Sequence, residues 1–215
     1  MSTTRLAIID DHPLFREGVM SVFRGRDDFK LVGEGMSADD ALEVATATQP
    51  DVLLLDLGIP GGGLNALRSI RKNCSCVSVV MLTASEASSD IFSAFEEGAS
   101  GYLLKGIPTF ELITAVKTAH GGAIVLDPKL AVHALGQLGA AARTPHPNPD
   151  AFKQLTRRET EILAFVSRGW SNRDIGASLG LTERTVKNYM SRLMTKLRVR
   201  NRVEAALAFR RADDV

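Results

Sequence analysis

Short apolar runs alternating with amphipathic stretches set the tightest limit on what the first half of this chain can fold into. Leu6–Asp10, Val52–Asp56, Val77–Thr83 and Tyr102–Lys105 are strand candidates, and Leu31–Glu34 is a weaker one. Between them Pro13–Phe23, Ser37–Thr48, Leu64–Lys72, Ser88–Glu97 and Thr109–His120 carry helical patterning. Ser37 with Asp40 three residues on is a variant of the capping box and marks a helix start. The runs are continuously apolar rather than alternating, so both faces of each strand are covered, as in a parallel sheet layered with helices. The expectation is an α/β domain, a doubly wound five-stranded parallel sheet of flavodoxin-like size.

The residues that close these runs carry the chemistry. Asp10 and Asp11 end the first strand, Asp56 the third, Thr83 the fourth and Lys105 the fifth. In a parallel sheet these ends share one edge, where open α/β sheets bind ligands. A lone aspartate at a strand end is usually a cap or a solvated turn residue; five such groups on four strands form a cluster. Three carboxylates in one crevice repel, which suits a hard divalent cation such as Mg²⁺. Asp56, central among them, is placed to act as nucleophile on a phosphoryl group and form an aspartyl phosphate. Lys105 and the Thr83 hydroxyl are placed to meet the phosphoryl oxygens.

Charge separates the ends of the chain. Residues 1–120 hold 10 Lys/Arg and 16 Asp/Glu, whereas residues 151–215 hold 14 and 7. A basic end of this kind fits an anionic partner such as nucleic acid. No apolar run reaches the ~18 residues of a membrane span, and the N-terminus lacks a signal-peptide pattern. Cys74 and Cys76 complete no zinc set and are read as reduced thiols, so the expected location is cytoplasmic, with no membrane partner.

The basic end reads as short helices joined by tight turns. Thr156 with Glu159 forms a capping box, Gly169 stops that helix, Ser171 caps the next, Gly180 supplies a turn and Thr182 caps a third. On the third helix Val186, Met190, Leu193 and Leu197 form an apolar stripe. Lys187, Asn188, Ser191 and Thr195 stand opposite, groups suited to base edges and phosphates. Arg184, Arg192, Lys196, Arg198, Arg200 and Arg202 add a positive field. The expectation is a small all-α helix-turn-helix domain that reads double-stranded DNA with helix 182–197. Three prolines at alternate positions within 139–149 mark a semi-rigid linker, preceded by a helical stretch at Leu126–Leu138. The expected organisation is therefore 1–122, a linker over 123–150, and 151–215.

Asp10-Asp11-His12-Pro13, Asp56 with Pro60, Thr83-Ala84 and Gly101–Lys105 resemble the receiver domain of bacterial response regulators over about residues 4–120. Leu155–Glu159, Gly169, Ser171-Asn172, Ile175-Gly176, Leu181-Thr182, Thr185–Lys187 and Asn201-Arg202 resemble the LuxR-type DNA-binding domain over about 151–212. Together the chain resembles the NarL/FixJ family of two-component response regulators. The resemblance implies a regulator rather than an enzyme, phosphorylated on Asp56 by a sensor histidine kinase. It implies Asp11 and Asp56 as direct Mg²⁺ ligands, Asp10 acting through water, and the Gly58 carbonyl completing the set. Thr83 and Tyr102 take the place of the family's switch pair. Arg184, Thr185, Lys187, Asn188, Ser191, Arg192, Lys196 and Arg200 fall on the DNA-binding positions, and the helix from Arg202 on that of the dimer contact, so the resemblance implies a homodimer on paired half-sites. Tyr189 departs from the histidine common there, and Gly61-Gly62-Gly63 promises a looser loop than usual. A phosphorylation-independent DNA-binding regulator, a protein-interaction adaptor and a Mg²⁺-dependent phosphohydrolase remain alternatives at this level.

Overall fold

The computed structural model describes residues 3–84, 88–127, 130, 152, 154–199 and 202–213. The proline-rich linker, most of the expected helix at 126–138, and Arg200 with Asn201 lie outside the described residues. The chain divides into two compact units, one of Met1–His120 with Ile124–Leu138, the other of Gly121–Ala123 with Gly139–Val215.

In the first unit β1 (Thr4–Ile9), β2 (Phe29–Gly35), β3 (Val52–Asp56), β4 (Ser78–Thr83), β5 (Gly101–Leu104) and β6 (Val125–Leu126) alternate with helices. The helices are α1 (Pro13–Phe23), α2 (Ala38–Thr48), α3 (Gly63–Asn73), α4 (Ser88–Glu96) and α5 (Thr109–His120), the last lying between β5 and β6. All neighbouring strands are parallel, in the order β2-β1-β3-β4-β5-β6. The sheet thus has six strands rather than the five expected. Val125 and Leu126 pair with Gly101 and Tyr102, so Leu126 is a strand residue and not the start of a helix. The chain turns at Gly122, in the left-handed region at φ 82°, and runs extended beside β5, which supplies the pairing.

Along β1, Ala7 and Ile9 enter one apolar layer while Leu6 and Ile8 enter the other. Both layers are closed by helices, which is why the strand sequence is apolar at every step. Ser37 caps α2, its side chain accepting from the Asp40 amide while Asp40 accepts from the Ser37 amide.

Gly61-Gly62-Gly63 is not a loose loop. Gly61 and Gly62 adopt φ of 86° and 83°. The Gly62 amide donates to Ile59, the Gly63 amide donates to Leu57, and the Gly61 carbonyl accepts from Asn65. A Cβ on Gly63 would stand 2.4 Å from the Asp56 carbonyl oxygen, so α3 starts against the main chain of the β3 end only because that residue is glycine.

The second unit is helical: α6 (Arg157–Ser167), α7 (Asn172–Leu179), α8 (Glu183–Leu197) and α9 (Arg202–Asp213). Thr156 and Glu159 form the full capping box. Ser171 and Thr182 accept from Asp174 and Thr185. Gly180 ends α7 in the left-handed region and sets the turn into α8. Val186, Met190, Leu193 and Leu197 are all buried, against Ile162, Leu163, Val166, Ile175 and Ala205.

Candidate functional site

Strand register assembles the acidic edge. Ile9 lies beside Leu55, Asp56 beside Leu82, and Thr83 beside Leu104, so Asp10, Asp56, Thr83 and Lys105 emerge from adjacent strands. The side chains converge. Lys105 Nζ stands 2.9 Å from Asp10 Oδ2 and 3.1 Å from Asp56 Oδ1, and 5.0 Å over the Phe15 ring. Asp10, Asp56 and Thr83 are buried, and Tyr102 has no exposed surface. Asp11 is partly exposed beside them.

Two carboxylates and one ammonium leave the cluster short of positive charge. Burial pushes the Asp56 carboxyl above the usual aspartate range; Lys105 and the Gly58 amide pull against that shift, while Asp10 adds to it. Asp10 Oδ2 is met by Lys105, and Asp11 Oδ1 by the His12 imidazole at 2.7 Å. One ligand atom each from Asp10, Asp11, His12 and Asp56 lie within 4.8 Å of one another, a set that could hold a metal ion. The donors are mainly hard carboxylate oxygens, the chemistry that Mg²⁺ takes.

Arg16 was not singled out by the sequence. Its Nη1 donates to the Asp10 carbonyl at 2.7 Å and its Nε meets Glu34 at 2.9 Å, fixing the turn that carries the acidic pair. The signal was a lone arginine one turn into α1, which is indistinguishable from a surface charge until α1 is docked.

On α8 the two faces divide as the pattern implies. Arg184, Asn188, Arg192 and Thr195 are exposed, while Lys187 and Ser191 are half-buried. The Thr185 hydroxyl lies 2.7 Å from that of Thr182, within the helix cap. An open hollow of about 700 Å³ lies between the start of α6 and the middle of α8, with Tyr189, Ser191, Arg192 and Thr195 on one side and Thr156 and Arg158 on the other.

Two of the basic residues are bound into the fold instead of facing outward. Lys196 Nζ reaches the buried Glu159 carboxylate at 2.7 Å. Burial raises the Glu159 pKa, but Lys196 and two hydrogen bonds from Thr156 outweigh it and hold the carboxyl below the usual glutamate value. Arg202 donates to Asn172 Oδ1 at 2.8 Å and to the Trp170 carbonyl, and burial lowers its pKa to about 10.

An acid-lined sheet edge in one unit and a capped helix-turn-helix in the other define a signal-transduction regulator. Residues 6–117 match the family described as response regulator receiver domain, and residues 153–209 match bacterial regulatory proteins of the luxR family. The chain belongs to the NarL/FixJ family of two-component response regulators, which join these two domains. It is 35% identical over 208 residues to the transcriptional regulatory protein LnrK of Bacillus subtilis (strain 168), covering 94% of each chain. It is 34% identical over 203 residues to the nitrate/nitrite response regulator NarL of Escherichia coli (strain K12), covering 94% of this chain and 93% of that one. Among solved structures, a LuxR-family two-component response regulator from Aurantimonas sp. SI85-9A1 superposes with a TM-score of 0.61 at 32% identity, covering 64% of this chain and 99% of that one. Among the described residues, no helix is long and apolar enough to cross a membrane.

Proposed function

We propose that this protein is a cytoplasmic, DNA-binding transcriptional response regulator whose receiver, residues 1–122, is phosphorylated on Asp56 by a sensor histidine kinase. Residues 123–150 link it to the DNA-binding domain, 151–215. The observation that carries the reading is the convergence of Asp10, Asp11, Asp56 and Lys105 at one sheet edge, in a chain that also bears a basic helix-turn-helix.

An Asp56 carboxylate oxygen attacks phosphorus, the P–N bond of the kinase's phosphohistidine breaks, and the imidazole leaves with the bonding pair. Asp56 is held for attack by the end of β3 and by the Gly58 amide. Lys105, bridging Asp10 and Asp56, is placed to follow charge onto the phosphoryl oxygens. Thr83, next to Asp56 across the sheet, supplies a hydroxyl, and the buried Tyr102 one strand further is its switch partner. Asp11, Asp56 and the Gly58 carbonyl would hold Mg²⁺ directly, with Asp10 through water. When bound there, Mg²⁺ would supply positive charge between the carboxylates and the incoming phosphoryl group.

Helix α8 reads DNA through Lys187, Asn188 and Ser191, with Arg184, Thr185 and Arg192 near the phosphates. Lys196 acts through the fold, as the tie to Glu159. Two copies meet through α9 on paired half-sites.

The test is a gel shift of full-length protein on its own upstream DNA, with and without acetyl phosphate and Mg²⁺. Tighter binding on phosphorylation, lost in Asp56→Ala, is the expected result. Equal binding by both proteins in both states would leave a DNA reader whose receiver is only a docking platform.

A further inference from the structure

Phe15 has no task in the chemistry above, yet its ring lies against the Lys105 ammonium. It stands in the first turn of α1, one residue after Leu14, which is 91% exposed. Phe15 itself is half-buried and packs on the apolar layer that α1 shares with α5. Packing accounts for one side of the ring. Over its face stands Lys105, with Nζ 5.0 Å from the centroid.

That ammonium is the head of a long, flexible stem leaving the end of β5, and only 13% of the side chain is exposed. An ammonium carries three N–H donors. Asp10 Oδ2 at 2.9 Å and Asp56 Oδ1 at 3.1 Å account for two of them. The face of Phe15 supplies negative potential from a further side, within the reach of a cation–π contact. Hydrogen bonds to carboxylates are directional and are given up when the lysine turns. Phosphoryl transfer requires such a turn, because the phosphoryl oxygens need the charge that the carboxylates now hold. The attraction of a π face is not tied to one N–H direction, so it persists while the head group rotates. A phenyl ring also offers no oxygen to compete with the phosphoryl group for those donors.

We propose that Phe15 is a positioning residue for phosphoryl transfer, acting through Lys105. Its ring keeps the ammonium at the acidic edge while hydrogen bonds pass from carboxylate to phosphoryl oxygen. The proposal rests on the reading of Asp56 as the phosphoacceptor. Because Lys105 meets charge that grows in the transition state, Phe15 governs the rate of transfer and not the affinity for the donor.

The experiment follows phosphorylation of full-length protein by intact mass, with saturating Mg²⁺ and varied acetyl phosphate. It compares wild type, Asp56→Ala, Phe15→Leu, and protein carrying mono- or trifluorinated phenylalanine at position 15. Fluorine drains the ring face and nearly preserves its shape, so a residue that only packs is indifferent to it. Expected are a limiting rate about tenfold lower in Phe15→Leu, losses between these that deepen with fluorination, and half-saturating acetyl phosphate within about twofold throughout. Nuclear magnetic resonance of the Lys105 side chain reads the geometry without any transfer: the ring shifts its signals upfield in wild type, and Phe15→Leu removes the shift. Equal rates across the fluorinated series, in protein that is phosphorylated, would overturn the role of Phe15 and leave Asp56 standing. An unshifted lysine in wild type would overturn the placement of the ring. Wild-type protein that takes up no more phosphoryl group than Asp56→Ala would overturn the phosphoacceptor reading and this role with it.

Discussion

The acidic edge of the sheet and the core of the helical unit both hold buried charge, and they treat it in opposite ways. At the edge, two buried carboxylates, Asp10 and Asp56, share one ammonium, so negative charge is left in excess. In the helical unit, Glu159 has a lysine and a double cap from Thr156, and Arg202 has an amide and a carbonyl. Unsatisfied charge is costly, so it persists where a ligand is to complete it. Satisfied charge is a strut. The same residue types are thus a reactive site in one unit and a structural fastening in the other.

Lys105→Met probes the first half of that contrast and carries the largest expected effect. It strands two buried carboxylates and should destabilise the metal-free receiver by about 3–5 kcal/mol, measured by hydrogen exchange of the β1 and β3 amides. Lys196→Met does the same to Glu159; since Lys196 is partly exposed, about 2–3 kcal/mol is expected in urea unfolding followed by Trp170 fluorescence. An unchanged midpoint there would erase the distinction between strut and site.

Acidity should separate the units. Glu159 titrates below 4.5 when folded, so its contribution is complete above 4.5 and is lost as pH falls through the folded value. Asp56 titrates above 3.8, so its ionised form opposes folding, and protonation as pH falls toward 3.8 relieves that opposition. In EDTA, hydrogen exchange across this range should show the helical unit losing protection while β3 gains it relative to an Asp56→Asn control. Parallel loss in both would contradict the assignment. The smallest stability effect belongs to the exposed Arg192: Arg192→Ala should move unfolding by no more than about 0.5 kcal/mol. It should still weaken DNA binding and lower the slope of log affinity against log salt by about 1.

Much of this was legible because it is local. The strand ends were visible as apolar runs closed by Asp10, Asp56 and Thr83, and both capping boxes lie within four residues. What escaped depends on distant partners. Glu159 and Lys196 are 37 positions apart, so nothing in the sequence marked Lys196 as a strut. Strand β6 is two residues long and exists only because β5 lies alongside. The three glycines after Pro60 suggest slackness in a sequence, yet each is demanded by a left-handed turn or by contact with main chain. The cluster at Asp56 was readable as composition, while the direction of the His12 imidazole was not.

The two margins of the sheet have a consequence for self-association. On one side β6 covers part of β5 and offers only two residues of its own outer edge. On the other, β2 carries Lys30 and Glu34, and its register against β1 slips between Leu6 and Ala7. Short, charged and irregular margins are poor templates for adding strands from another molecule. Copies of this protein crowded together are thereby steered away from cross-strand polymerisation, leaving helical faces as the surfaces through which a reversible pairing can form.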